Sequence, residues 1–427
     1  MCRTRGVALR APRVLSSPIP RKNAMPPETE RPIYPTNSGK ESMEWLAFHG
    51  LAPRSVGIRS SDYRMMRSCP FTWYLSRRLG LTKADRYSAA LSRGSWAHLA
   101  FASLCLRKDT EKALQMYDNA IDARIQEIIK HGKSVGRNSD LIREICEREE
   151  KDARTAWAWF CAATEIVYED SGMNLNKWMA GINIIAQEPT IRHGDRVIQP
   201  DALITFPMNP KILWIVDFKT TSVSPFDRLQ ACPIEFQTQH YFHTMMNLNL
   251  SDYNCESLGG VIHLAVQKPT IEFGMKDRPF TLDTSPLKSG PRKGEPRNEK
   301  IFVGDPDPAI YQQRCYEWYA GTGEYLHLEP ERLTNPCVNF SYTSAQHLLE
   351  EDMVKMYNRR LAFCRKYAEL EPYPENFEMG DPIQGTGSPS QYLPFMLTSP
   401  GVWPDIVHRE GFVQRDRDDA IIEGDTA

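Results

Sequence analysis

No run of eighteen apolar residues occurs in this 427-residue chain, so no membrane-spanning helix is expected. No two of its ten cysteines stand as Cys-x-x-Cys. They lie at 2, 69, 105, 146, 161, 232, 255, 315, 337 and 364, so a zinc or iron–sulfur site would have to gather distant positions. The expected state is reduced, mostly buried thiols in a cytoplasmic protein. Net charge is nearly absent at −2, which excludes a chain-wide polycation but not a local basic groove. Internal repeats, heptads, helicase motifs and a phosphate-binding Gly-rich loop are also missing; Gly-x-Gly at 321–323 stands alone. The first 25 residues contain no acid and no apolar segment, only Arg3, Arg5, Arg10, Arg13, Arg21 and Lys22 as charges, so a secretory signal is not expected. A transit peptide, a disordered arm, or an extension upstream of a start at Met25 all fit. Pro18, Pro20, Pro26, Pro27, Pro32 and Pro35 favour a disordered arm over 1–40.

With 41% hydrophobic and 25% charged residues, the remainder reads as one large globular domain with insertions, or two. Order is expected to begin near Met43. Ser60-Ser61-Asp62 offers an N-cap for a helix reaching Cys69, and Pro70 restarts or kinks it before Phe71 to Leu75. Helices follow over 88–106, 110–131 and 139–168, with Gly94 inside the first implying close approach of another group. Trp157, Trp159 and Phe160 read as core. Strands are expected over 181–188, 197–206 and 211–220, then a helix over 233–248 and a strand over 258–266. Residues 284–300 read as an exposed basic loop, with helices over 306–326 and 342–369. The organisation is α/β: an arm at 1–40, a core at 41–270 with a helical insertion at about 108–178, loop and helices packed on it at 271–370, and an irregular tail at 371–427.

Chemistry concentrates at 198–220. Pro200-Asp201 heads one apolar run, and Asp217-Phe218-Lys219-Thr220 closes the next. Paired as a hairpin, the runs put Asp217 and Lys219 on one face, and in the implied register Asp201 joins them. Two carboxylates and an ammonium suit a hard divalent cation beside a proton-handling group. An acid-x-Lys triplet alone means little: Glu149-Glu150-Lys151 also fits, on a helix with solvated charges. What distinguishes 217–219 is its company: Gly94 to His98 upstream, Glu188 ending the first strand, and Gln237 and Tyr241 sharing a helix face at i and i+4. His240 and His243 read as surface residues. Tyr63, Trp73 and Tyr74 read as packing, while Arg64, Arg67, Arg77 and Arg78 are placed to track a nucleic-acid backbone.

In this order, Cys69-Pro70, Gly94 to His98, Glu188, Asp201, Asp217 to Thr220 and Gln237 to Tyr241 resemble the PD-(D/E)XK nuclease superfamily, in the branch shared by the RecB and AddB nuclease domains. The resemblance spans about 60–270. It implies a restriction-endonuclease-like central mixed β-sheet flanked by helices, with an added helical subdomain. It also implies that His98, Asp201, Asp217 and the Phe218 carbonyl bind Mg²⁺ or Mn²⁺. Lys219 would position or deprotonate water, Gln237 and Tyr241 would hold the scissile strand or the water, and Glu188 would lie behind the ligands or at a second metal. The closely spaced late cysteines of iron–sulfur members are missing, so no cluster is expected and Cys69 is a packed thiol, as in cluster-free phage and bacterial exonucleases. The implied activity is metal-dependent hydrolysis of DNA, as an exonuclease in recombination, repair or phage DNA processing. By analogy a single-strand annealing protein or helicase is the partner. The competing readings are a catalytically silent DNA-end-binding module and a nuclease-like subunit of a helicase–nuclease complex.

Overall fold

The computed structural model describes residues 46–47, 51, 53–83, 89–107, 109–134, 137–166, 174–325 and 337–369. Beyond these it describes 383–384, 388–389, 392, 395, 403–409 and 412–414. The expected arm at 1–40 and the start near Met43 lie outside the described residues. Helix α1 (Ser60–Ser68) leads into α2 (Pro70–Trp73) and a π turn, Tyr74–Arg78. Strand β1 (Leu81–Lys83) and helices α3 (Ala89–Arg107), α4 (Thr110–Ser134), α5 (Ser139–Glu165) and α6 (Leu175–Ala180) precede the sheet. Then come β2 (Asn183–Gln187), β3 (Ile191–His193), β4 (Arg196–Ile198), β5 (Ala202–Phe206) and β6 (Asn209–Thr221). They are followed by α7 (Pro225–Gln230), α8 (Phe236–Met245) and β7 (Ser257–Gln267). A hairpin of β8 (Phe280–Asp283) and β9 (Glu299–Phe302), α9 (Pro308–Ala320), β10 (Val338–Ser344) and α10 (Glu351–Glu369) complete the main body.

The central sheet has the order β10-β7-β6-β5-β2. Only β6 and β7 run parallel; the other neighbours are antiparallel. A parallel pair needs a crossover, and α7 and α8 supply it. The fold class is therefore the expected one, a mixed α/β sheet flanked by helices. Side chains alternate across it. Ala202, Ile204, Val216, Phe218, Ile262 and Leu264 share a core with α3, α5 and α9. Leu203, Leu213, Ile215, Leu258 and Val261 pack with Tyr241, Phe242 and Met245 of α8. Burial on both faces explains why Ile212–Val216 in the middle of β6 read as a continuous apolar run. The helices at 110–165 share the first of these cores with the sheet, through Tyr117, Ile121, Trp157, Trp159 and Phe160.

Several expectations need correction. The run over 197–206 is two strands: Arg196–Ile198 pairs with β3, and only Ala202–Phe206 joins the central sheet. Pro200 has no N–H for a ladder, and the break falls around it. The 233–248 helix is a 3₁₀ turn at Cys232–Ile234, with Pro233 in it, followed by α8. Residues 342–344 belong to edge strand β10, and helix resumes as a turn at Ala345–Leu348 and then α10. Helix α7 was not anticipated. Residues 284–300 are mostly exposed, as expected; 284–298 connect the strands of the β8–β9 hairpin, and 299–300 already belong to β9. The tail is not irregular throughout. Residues Trp403–Arg409 form a helix, and Phe412–Gln414 pairs antiparallel with β1. Tyr392, Phe395, Trp403, Ile406 and Phe412 close a core with Phe71, Trp73 and Tyr74. Asp62 is not the cap of α1; it lies buried inside the first turn, accepting the Arg59 N–H at 2.8 Å and facing Arg77 at 3.1 Å. Arg77 is thereby buried rather than free to track a backbone.

Candidate active site

The site forms where β5 begins and β6 ends. Ala202 lies opposite Val216, and the Asp201 N–H donates to the Val216 carbonyl at 3.1 Å, which sets Asp201 across from Asp217. The implied register is therefore the observed one. Alternation then sends Asp217 and Lys219 to the α8 face of the sheet, while Phe218 and Thr220 point to the α3 face.

On the α8 face the polar groups form a closed network. Asp217 Oδ1 accepts from Lys219 Nζ at 2.9 Å and from Gln237 Nε2 at 3.0 Å. Lys219 also donates to Gln237 Oε1 at 2.6 Å, and Gln237 Nε2 reaches the Tyr241 hydroxyl at 2.9 Å. That hydroxyl donates to the Gln199 carbonyl at 2.9 Å, tying α8 to the loop before Asp201. Burial opposes charge on Asp217, but Lys219 and then His263 hold its carboxyl well below the usual range. Burial likewise works against the Lys219 ammonium, yet Asp217 raises it above an ordinary lysine.

His263 is the residue sequence reasoning missed. It is fully buried on β7, with Nδ1 3.0 Å from Asp217 Oδ2 and Nε2 3.2 Å from Thr238 Oγ1. The Thr238 hydroxyl gives its proton to the Cys232 carbonyl at 2.5 Å, which ties His263 and Asp217 to the turn before α8. The available signal was the register, because the parallel pairing sets Asp217 beside His263.

On the α3 face the arrangement is open. His98 stands with its ring 4.8 Å from that of Phe218 and its Nδ1 2.6 Å from Asp201 Oδ1. Asp201 Oδ2 accepts the Phe218 N–H at 2.6 Å. Burial disfavours a charged His98, but Asp201 beside it raises the imidazole above its ordinary value. Glu188 does not end a strand. It follows β2 in a left-handed conformation (φ 42°), with its N–H on the Asp201 carbonyl at 3.0 Å. Burial, then the charge of Asp201, push its carboxyl up. His98, Glu188 and Asp201 line a cavity of about 740 Å³, whose wall also includes Gly94, Thr220 and Lys268.

All the sequence-predicted site residues thus gather at one end of the sheet, in two halves that meet at Asp201. Their donor set of an imidazole, carboxylates and a backbone carbonyl suits a hard divalent cation. The crowding of Glu188 and Asp201 on one wall is a charge arrangement that such an ion relieves. Among the described residues, no three His, Cys, Asp or Glu side chains are gathered as a ready-made cage. A cation would have to displace the His98–Asp201 hydrogen bond.

Residues 60–241 match the PD-(D/E)XK nuclease superfamily. The match runs from α1 to Tyr241, so it takes in His98, Glu188, Asp201, Asp217, Lys219 and Gln237 but stops short of His263 and Lys268. No curated protein and no solved structure matched the chain. The superfamily match points to a nuclease.

Two other expectations fail. His240 is fully buried, with Nε2 2.9 Å from the Ile58 carbonyl, and His243 is half-buried. The other acid-x-Lys triplet is not wholly solvated either: Glu149 is buried and accepts from Trp96 Nε1 at 3.0 Å. It is nonetheless remote in role, because its partners are structural. Cys69 is buried, with its sulfur accepting the Thr72 N–H at 3.4 Å. Among the described residues no helix is long and apolar enough to cross a membrane.

Proposed function

We propose that this protein is a divalent-metal-dependent deoxyribonuclease of the RecB/AddB-like branch, acting as a cytoplasmic exonuclease in recombination, repair or phage DNA processing. The observation that carries this reading is the meeting at Asp201 of a rigid Asp217–Lys219–Gln237 network and an open cavity holding His98 and Glu188. His98, Asp201, Asp217 and the Phe218 carbonyl would hold Mg²⁺ or Mn²⁺. The chemistry such an ion supplies is activation of a water and neutralisation of phosphate charge. Lys219, kept protonated by Asp217, offers positive charge to the phosphate rather than removing a proton. Glu188, with its raised carboxyl, is the cavity-wall group able to take a proton from water. Gln237 and Tyr241 fix the ammonium and the Asp201 loop. A single-strand annealing protein or helicase would deliver DNA ends.

The test is digestion of end-labelled linear and circular, single- and double-stranded DNA with Mg²⁺ and with Mn²⁺. Ordered release of nucleotides from linear DNA alone is expected; cutting of circles would replace the exonuclease reading with an endonuclease. One observation favours a second reading, a silent DNA-end-binding module or a nuclease-like subunit of a helicase–nuclease complex: both Asp217 oxygens are already engaged by protein donors. Binding of DNA ends without cleavage under either ion would select it.

A further inference from the structure

The cavity has a second wall, used by nothing in the proposed chemistry. Lys268 follows β7 directly, its N–H on the Thr221 carbonyl at 2.7 Å, and it is half-buried at the cavity edge. Strand alternation puts it on the α3 face with Thr220, opposite to Lys219. Its ammonium lies over Gly94: a Cβ added there would sit 3.8 Å from Lys268 Nζ and 3.6 Å from Thr220 Oγ1. Those are ordinary contact distances, so no neighbour forbids a side chain at 94, against the expectation of a close protein approach. A glycine within a helix still costs about 1 kcal/mol relative to alanine. Here the missing side chain keeps the space beside an ammonium open to the cavity. Burial, and then the nearby Arg93 guanidinium, hold Lys268 below an ordinary lysine. The Arg93 guanidinium itself pairs with Asp152 at 2.8 Å, so Lys268 is the cationic side chain that lines the cavity, and a cation on a cavity wall makes a place for an anion.

We propose that Lys268, over the floor left by Gly94 and Thr220, is a phosphate-binding subsite that holds a phosphate of the DNA strand in the cavity that Asp201 and Glu188 also line. The inference rests on reading the cavity as the DNA-receiving half of the site. It assigns Lys268 a different duty from Lys219: placement of the strand, as against charge offered to the phosphate that reacts.

The test uses the full chain in EDTA, so that binding is read without cleavage. Anisotropy of a labelled single-stranded oligonucleotide is measured against salt, for wild type, Lys268→Met, Lys268→Arg and Gly94→Leu. Lys268→Met should bind about tenfold more weakly and lose about 0.7 from the log–log salt slope, the share of one phosphate contact. Gly94→Leu, which fills the floor with Lys268 intact, should also weaken binding, and Lys268→Arg should recover most of it. A series with one methylphosphonate moved along the strand should show one sensitive position in wild type that vanishes in Lys268→Met. If that position is absent and only removal of a terminal phosphate is sensed, the ligand is the strand end rather than an internal linkage. Equal affinity and slope in wild type and Lys268→Met would overturn the subsite. So would a loss in Lys268→Arg as large as in Lys268→Met at unchanged melting temperature. A protein that binds with this pattern yet never cuts DNA retires the nuclease reading and leaves the subsite standing. One that cuts, with Lys268→Met identical to wild type in KM and in binding, retires the subsite alone.

Discussion

On the α8 face of the sheet, the Asp217 side chain is 2% exposed and every polar atom around it has a partner; on the α3 face, His98 is 32% exposed beside a cavity. The faces share one strand end, and alternate residues of Asp217-Phe218-Lys219-Thr220 serve each in turn. A buried carboxylate with a lysine, an amide and a histidine around it leaves little freedom, so this half acts as a fixed electrostatic frame. The other half keeps an open cavity lined by His98, Glu188 and Asp201. Rigidity and access, which conflict within one pocket, are separated here by the pleat of a strand.

Breaking the closed half should cost most. Asp217→Ala leaves Lys219 and His263 buried without their acid and should lower the unfolding free energy by about 3–5 kcal/mol, read by urea denaturation. A loss under 1 kcal/mol would mean the network is looser than its distances. Lys219→Met should keep the fold while reducing DNA hydrolysis by about 10²–10³-fold, as loss of one preorganised positive group does. Unchanged rates would remove Lys219 from the chemistry. His263→Leu exposes the dependence of Asp217 on its rear support and should cost about 1–3 kcal/mol. His263→Asn, which retains a donor near Nδ1, should recover part of that loss.

Acid should attack the frame's scaffold before the open half. Burial pushes His240 down to about 4 from its ordinary 6.5, so its neutral form is built into the fold. With the folded value depressed, stability is complete above the ordinary value and falls as pH drops from there towards 4. The loss should be about 1–3 kcal/mol over that window in the wild type and flatter in His240→Gln. The smallest stability effect belongs to the open half. Asp201→Asn can still accept the Phe218 N–H, and should shift stability by less than about 1 kcal/mol while calorimetric binding of Mn²⁺ disappears. Retained Mn²⁺ binding would move the cation site away from Asp201.

Much of this was legible because strand period and helix spacing are local. The alternation at 217–220 and the i, i+4 relation of Gln237 and Tyr241 follow from geometry that neighbouring residues fix by themselves. The register that seats Asp201 across from Asp217 needed only a short hairpin. His263 was hidden because its partner lies 46 residues upstream, through a parallel pairing no turn specifies. A histidine in an apolar strand reads as core, and here it is core and site support together. His240 misled in the opposite sense: on a helix displaying Gln237 and Tyr241 to the site, its polarity reads as surface, while tertiary packing buries it against Tyr357 and Ile58. Strand β10 is hard to read, its last residues 342–344 falling within the expected helix and 338–341 within no expected element, since its Asn, Ser, Tyr and Thr residues sit on a sheet edge where apolar alternation is not demanded.

The pairing of Leu81–Lys83 with Phe412–Gln414 joins positions more than three hundred residues apart. During synthesis at about 5–20 residues per second, Trp73 and Tyr74 wait tens of seconds for Trp403 and Phe412 to emerge and cover them. The segment carrying Cys69-Pro70 thus stays uncovered until residues 392–412 have been made. Translation that halts before residue 403 leaves the aromatic surface of Phe71, Trp73 and Tyr74 without Trp403 and Phe412, open to chaperones or proteases.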